Sequence, residues 1–478
     1  MMTIGIAVLV LLTFAGICLF FKRAPAAGFK DFVKNPKAWN DWYQNSKKED
    51  QEDIEDSKRW SDTQIATQVK FFLFNIKTAD DEHSLGLALE ALGSKIHPIV
   101  LSFLRDPALR TKLVKPTGES FVPEAPFNRA CKLLGDDPPP EAVPAFIPFI
   151  DDPSEYIRGD AALALGKTGA SEIITPIRKA LGDKDDDVRN YALTGLQHAF
   201  KRKRISEISR TELFPDLQNL LLRGENADLV AGLLLDFDVE RGKAFILNQS
   251  FFNPDTSSLA GALSAIAKRG IPAPRDQLFK LIHDLEKTEL DYPRASAVAA
   301  ALRLLGQLRQ KDDAAFLEQR LSNSNKEIAQ GAAEGLLANA GLKNFQQTIW
   351  DKNQNSGYGS LTQKQRNWMS VEQLNAEVNN GGFAQYFVNS SGDQWMDALT
   401  GLEAMGSKEM LPILQGTIAK FGKEKPSTVH QQRQEQLARL MRDNDNLFEQ
   451  LDNRYYSSSE LVEVMQARYA VNNAEDFR

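Results

Sequence analysis

The chain has 478 residues, 42% of them apolar and 25% charged, and carries a net charge of −7. Those proportions belong to a folded protein and exclude bulk disorder; the slight acidic excess argues against direct nucleic-acid binding, which wants a basic face. Its two cysteines, Cys18 and Cys131, lie far apart, which excludes a disulfide framework and a CxxC metal knuckle.

Residues 1–3 are a short N-terminus, and from Ile4 to Phe21 the chain has no charge. At 1.5 Å per residue such a run covers about 27 Å, against a bilayer core of ~30 Å, so residues 4–21 are predicted to form a single transmembrane helix. The alternative is a cleaved signal peptide, but only Met1, Met2 and Thr3 stand where its basic stretch belongs. Ala24, Ala26 and Ala27 leave a cleavage site open, whereas Ile17 is too bulky to precede a lipid-bearing Cys18. Lys22, Arg23, Lys30, Lys34 and Lys37 follow the run and no basic residue precedes it. The positive-inside rule then places the C-terminal bulk of a single-pass protein in the cytoplasm, in a bacterium at the inner membrane.

Residues 22–60 read as a juxtamembrane linker. Phe29, Phe32, Trp39, Trp42 and Tyr43 among its lysines suit either the headgroup region or packing on a following domain. Residues 47–59, KKEDQEDIEDSKR, have no apolar face and are expected to be solvated.

Residues 61–345 carry an internal repeat, Ala-x-x-x-Leu usually followed by Gly. It appears as Ala88/Leu92/Gly93, Ala130/Leu134/Gly135, Ala161/Leu165/Gly166 and Ala192/Leu196. It continues as Ala231/Leu235, Ala262/Ile266, Ala301/Leu305/Gly306 and Ala332/Leu336, with offsets of 42, 31, 31, 39, 31, 39 and 31. The spacing puts Ala and Leu on one helical face, where the small Ala lets a neighbouring helix approach. The Gly is predicted to end the helix in the left-handed conformation. A second apolar segment follows, with Pro98, Pro144, Pro176 or Pro215 expected near its start. Asp-rich turns at 151–158 and 183–189 are placed to cap the next first helix.

This pattern resembles the HEAT family, above all its short bacterial, phycobilisome-lyase-like form, and most clearly over residues 157–196. The resemblance runs from about residue 80 to 345 and thins out over 200–295. It implies an α-solenoid in which Arg158 and Arg189 belong to a structural ladder between repeats. A tetratricopeptide array is the competing reading, but its unit is longer and its Trp and Tyr positions are missing. A stacked array buries its core only between neighbours and leaves a broad surface for a macromolecular partner.

Residues 346–360 are polar and contain glycine, as a linker would. Residues 361–478 follow as a small helical C-terminal domain with its core at 361–422. Asn379-Asn380-Gly381-Gly382 is expected to end one helix, and Phe383 to begin another that stops at Asn389. Asp393 is expected to cap the next. The run VNNGGFAQYFVNSSGD resembles the domain of the DNA-mimic protein family, whose best-known member is DNA-mimic protein nineteen. That resemblance implies a decoy for DNA-binding proteins, although acidic and basic side chains are mixed over 361–478 with no carboxylate rows spaced like phosphates. Asn380, Gly381, Gly382, Phe383 and Asn389 form a candidate interaction loop; Gly and Asn serve equally well there as helix terminators.

Nothing in the sequence spells out a reaction. No two of the five histidines sit at i, i+3 or i+4, and no P-loop, GxSxG or dinucleotide fingerprint occurs. Asp183, Asp185, Asp186 and Asp187 lack calcium-loop spacing. Lys201-Arg202-Lys203-Arg204 is a basic knot fit for a solvated loop or for contact with anionic lipid or nucleic acid. No catalytic residue, cofactor or metal is therefore expected. The expectation is an all-α, membrane-anchored HEAT-repeat scaffold that binds a cytoplasmic protein through its solenoid and C-terminal domain. The alternatives are a decoy acting through that domain, or an enzyme without a local motif. The partner's identity and the oligomeric state have no signature in the chain.

Overall fold

The computed structural model describes residues 36–115, 126–248, 257–287, 290–442 and 444–478. The expected anchor, 4–21, lies outside the described residues, as do residues 22–35 of the expected linker. Among the described residues every regular element is helical, and no single helix is long and apolar enough to cross a membrane. Two compact units divide the described residues, one running from Trp42 to Ile266 and the other holding Ala267–Arg478 together with the first residues of the helix that begins at Pro36.

The first unit opens within α1 (Pro36–Ser57), at Trp42, so the charged stretch expected to be a solvated spacer is a solvated helix. Only Asp50, Ile54 and Ser57 are partly or fully covered along its second half. Their spacing of four and three residues is one stripe of a helix, and Lys48 and Glu52 pair along it at 3.6 Å. A capping box then starts α2 (Asp62–Phe74), with Ser61 and Gln64 bonding each other's backbone N–H. Next come α3 (Ala79–Glu90), α4 (His97–Arg105), α5 (Arg110–Leu113), α6 (Pro126–Leu134) and α7 (Val143–Phe146). The best-formed repeats are α8 (Glu155–Thr168) with α9 (Ile174–Leu181), and α10 (Asp186–Lys201) with α11 (Glu207–Leu222). Then follow α12 (Ala227–Phe237), α13 (Val239–Ile246) and α14 (Leu259–Arg269).

Ala161, Leu165, Ala192 and Leu196 are all fully buried where α8 packs along α10. The glycines divide into two kinds. Gly93, at φ 55°, opens a 3-10 turn two residues beyond the cap at Ala91, whereas Gly135, at φ 65°, ends its helix as expected. Gly166 does not: it lies inside α8, and Gly169, at φ 65°, ends the helix instead. A Cβ on Gly166 would stand 2.8 Å from the backbone of Gly195, and one on Gly195 would stand 2.6 Å from Leu163 O. Gly166 is thus required by the approach of two helix backbones, not by a turn. Pro98, Pro144 and Pro176 do fall in first turns of their helices. Pro215, expected near a start, lies in the interior of α11 at an exposed position. The sequence misplaces that start because Ser206, not the proline, caps the helix by accepting from Ser209 N at 3.0 Å.

The second unit opens with α15 (Arg275–Glu286), α16 (Tyr292–Gln307), α17 (Asp313–Arg320) and α18 (Lys326–Asn339). It repeats the α8–α10 crossing 140 residues on, because Gly306 and Gly335 stand where Gly166 and Gly195 do, again backbone to backbone. The turns match as well. Asp183 and Asp185 accept from the N–H groups of Asp185 and Asp187 at 2.9 and 3.0 Å, and Asn323 and Asn325 from Asn325 and Glu327 at 2.8 and 3.0 Å.

The expected linker at 346–360 is helical: α19 spans Phe345–Ser356 and a 3-10 turn covers Tyr358–Ser360. Its polar letters face solvent while Phe345 and Ile349, four apart, are buried. Then come α20 (Gln363–Val388), α21 (Trp395–Ala404), α22 (Met410–Ala419), α23 (His430–Met441), α24 (Glu449–Tyr456), α25 (Val462–Asn472) and α26 (Ala474–Phe477). One apolar cluster gathers Val371, Leu374, Phe383, Phe387, Leu414, Leu437, Phe448 and Tyr455. A second joins Leu342, Phe345 and Ile349 to Trp368, Met369, Tyr469 and Phe477. The domain core therefore reaches well past residue 422, since Leu437, Met441, Leu451, Tyr455 and Val462 of α23 to α25 belong to it.

Candidate functional site

The Asp-rich turns and their arginines come together as a ladder in the first unit. Arg158 reaches Asp183 through Nε at 2.8 Å and Nη2 at 3.0 Å, and its Nη1 donates to Asp152 O at 3.0 Å. Arg189 repeats the arrangement one unit on, donating to Asp183 O at 2.6 Å and pairing with Glu225 and Asp186. Asp183 thus holds two successive arginines. Burial works to raise its pKa, but the bonds from Arg158 and from the Asp185 N–H outweigh it and hold the carboxyl below its ordinary value. Among the described residues no group of three or more His, Cys, Asp or Glu is placed to hold a metal ion, and Asp183 and Asp185 serve as turn and cap acceptors.

A second row of rungs runs between second helices and was not legible in the sequence. Arg105 donates to Glu141 O at 2.5 Å, and Arg178 to Asp216 at 2.9 Å and Glu212 O at 2.9 Å. In the other unit, Arg275 meets the fully buried Asp313 at 2.5 Å. These pairs lie 34 to 38 residues apart, with no motif to mark them.

Beside the Arg178 rung lies an open groove of about 510 Å³ between α9 and α11. Leu181, Leu220 and Leu222 line it together with Arg178, Asp216 and Arg223. Leu222 is 59% exposed, and Ile208, in the first turn of α11, is 62% exposed. An apolar floor bordered by guanidinium groups offers contact area and hydrogen-bond donors to a bound chain.

The two arginines of the basic knot are committed to the fold, while Lys201 and Lys203 are exposed. Arg202 pairs with Asp136 and Asp137, and Arg204 with Asp137 at 3.2 Å and Pro138 O at 2.7 Å. Lys167 joins at Asp136 Oδ1, 3.0 Å away. The loop after α6 is thereby fastened to the ends of α8 and α10. Burial pushes the Cys131 thiol well above its ordinary pKa, so it is a poor nucleophile.

In the C-terminal segment the five expected loop residues do not form an exposed surface. Gly381 (φ −162°) and Gly382 (φ 75°) break α20 in two. Only Asn380 and Gly381 are exposed, whereas Phe383 is fully buried, ring to ring with Tyr455 at 5.6 Å. The N–H of Phe383 donates to Asp452 Oδ1 at 2.8 Å, so the second half of α20 is capped from α24. A Cβ on Gly382 would stand 2.8 Å from that carboxylate. Asn389 donates to Glu377 at 2.8 Å, as do Gln385 and Ser391.

Asp393, expected to be a helix cap, instead accepts from Arg433 Nη2 at 2.6 Å. Arg433 is fully buried. Its Nε donates to Phe387 O at 2.8 Å, Nη1 to Ser427 O at 2.9 Å and Nη2 to Asn389 O at 2.8 Å. Gly392 is required beside it, because a Cβ there would stand 2.6 Å from Tyr386 O and 2.8 Å from Arg433 Nε. Arg433 and Asp452 hold the fold together, yet each sits in a polar helix where nothing in the spacing distinguishes it from surface.

Residues 128–197 match the HEAT repeats, and residues 359–473 match the DMP19-like protein family. No curated protein matches the chain. The chain therefore carries HEAT repeats followed by a DMP19-like C-terminal segment.

Proposed function

We propose that the chain is a membrane-tethered scaffold that holds a cytoplasmic protein partner and catalyses no reaction itself. The α9–α11 groove carries this reading, because it places exposed Leu222 and Arg223 beside Arg178, where α11 packs on the second helix of the matched repeats. Helical repeats use such surfaces between successive units to bind other macromolecules. The tether is supported by the uncharged run 4–21 and by the lysines that follow it. Decoy activity through the DMP19-like segment would need rows of free carboxylates. Glu377, Asp393, Asp452 and Glu460 are engaged in hydrogen bonds within the segment, and the carboxylates that remain exposed are interspersed with basic residues.

A photo-crosslinking residue at Asn219, which lines the groove, tests the proposal in living cells. The expected result is a protein adduct whose yield falls at least tenfold when Leu222→Asp is added. No adduct at 219, alongside good adducts from a crosslinker at Val429, would remove the groove from consideration. An adduct with a DNA-binding protein at Val429 would favour the decoy.

A further inference from the structure

We infer that one face of the DMP19-like segment is a docking surface for the end of a helical-repeat stack, and that here it caps the chain's own last HEAT pair. The face consists of Trp368 and Met369 from α20, Tyr469 from α25 and Phe477 from α26. It receives Phe345, whose ring lies 5.1 Å from that of Trp368 and 5.3 Å from that of Phe477, both edge-on. Leu342 and Ile349 complete the same cluster.

A stack of helix pairs buries its core only where a neighbour covers it, so its last pair presents an apolar face that needs a cover with a polar outer side. In the first unit α12 packs on α10 and provides that cover for the helix before it. In the second unit no further repeat follows α18, and α25 packs along it instead. Polar contacts border the apolar contact. On the segment's own side, Gln365 Nε2 donates to Asp476 O at 2.7 Å and Lys364 meets the Asp476 carboxylate at 3.0 Å, which fastens α26 to α20. Lys352 on α19 donates to Gln365 at 3.4 Å. Among the described residues of 359–478, the exposed large apolar side chains are Met396, Val429 and Tyr456, none of them part of this face. The docking face is spent on the chain itself, and any partner of the segment must bind elsewhere on it.

Hydrogen exchange on the full chain distinguishes a cap from a neighbour that merely touches. Phe345→Ala is expected to speed exchange at least tenfold in α18 and in α25 together, with α8 and α10 unchanged. Phe477→Ala should reproduce the effect from the other side. Faster exchange confined to α18 and α19, with α20 and α25 at their wild-type rates, would overturn the inference. If Phe345→Ala leaves too little folded protein, Phe345→Leu keeps the volume close and should give the same coupled change at a smaller factor.

Discussion

Arg433 carries a charge that water cannot reach, and the fold meets it with three carbonyls and one carboxylate. Removing one member of a buried, hydrogen-bonded charge pair costs about 3–5 kcal/mol, because the partner groups are left desolvated. Arg433→Ala is therefore expected to lower stability by that amount in urea denaturation of the full chain. Arg433→Lys should recover only part of it, since an ammonium cannot reproduce the planar fork that serves four acceptors. At this scale the sequence was legible in type and illegible in role. Gly381 and Gly382 do mark a break between helices, but Phe383 beside them looks like a residue on display and is buried. Its partner Asp452 stands 69 residues away, and no periodicity connects the two.

Helix pairs show where small residues and cross-element caps do their work. A Cβ on Gly195 meets backbone, not a side chain that can turn aside. Gly195→Ala is thus expected to destabilise by about 1–3 kcal/mol from overpacking, against about 1 kcal/mol of helix propensity regained. Gly359→Ala, with open space around it, should be silent in the same thermal melt. The N-terminus of α22 offers a test by pH. Glu460 accepts from Ser407 Oγ at 2.6 Å, Lys408 N at 2.5 Å and Met410 N at 3.1 Å. Burial opposes its ionisation, but these donors prevail and hold its pKa below the ordinary 4.5. A carboxyl with a lowered folded pKa contributes stability above its unfolded value and loses it as the pH falls through the folded one. The Tm difference between wild type and Glu460→Gln should be full at neutral pH and shrink below pH 4.5. A difference that grows on acidification would contradict this role.

For the molecule as a whole, the 31-residue period was the clearest signal, because stacked units repeat their packing letters. The stretch 346–360 misled for a matching reason: α19 buries so few residues that its polar letters resemble a linker. The second half of the DMP19-like segment was faint because α23, HQQRQEQLARLM, shows mostly polar letters around its buried Leu437 and Met441. The proposed tether makes its own prediction. Full-length protein should float with membranes and resist carbonate extraction, while a chain lacking residues 1–35 should stay in the soluble fraction. A reporter fused after Arg478 should be active in the cytoplasm, and activity only on the opposite side of the membrane would reverse the proposed orientation.

The cap that Asp452 places on Phe383 also sets a clock. Chains are synthesised at about 5–20 residues per second, so Asp452 leaves the ribosome about 3–14 s after Phe383, the two being 69 residues apart. Until it arrives, the second half of α20 lacks its first acceptor, and Phe383, Tyr386 and Phe387 lack the wall that Phe448 and Tyr455 provide. The aromatic run in the first third of the DMP19-like segment is thus without that wall for seconds in every round of translation.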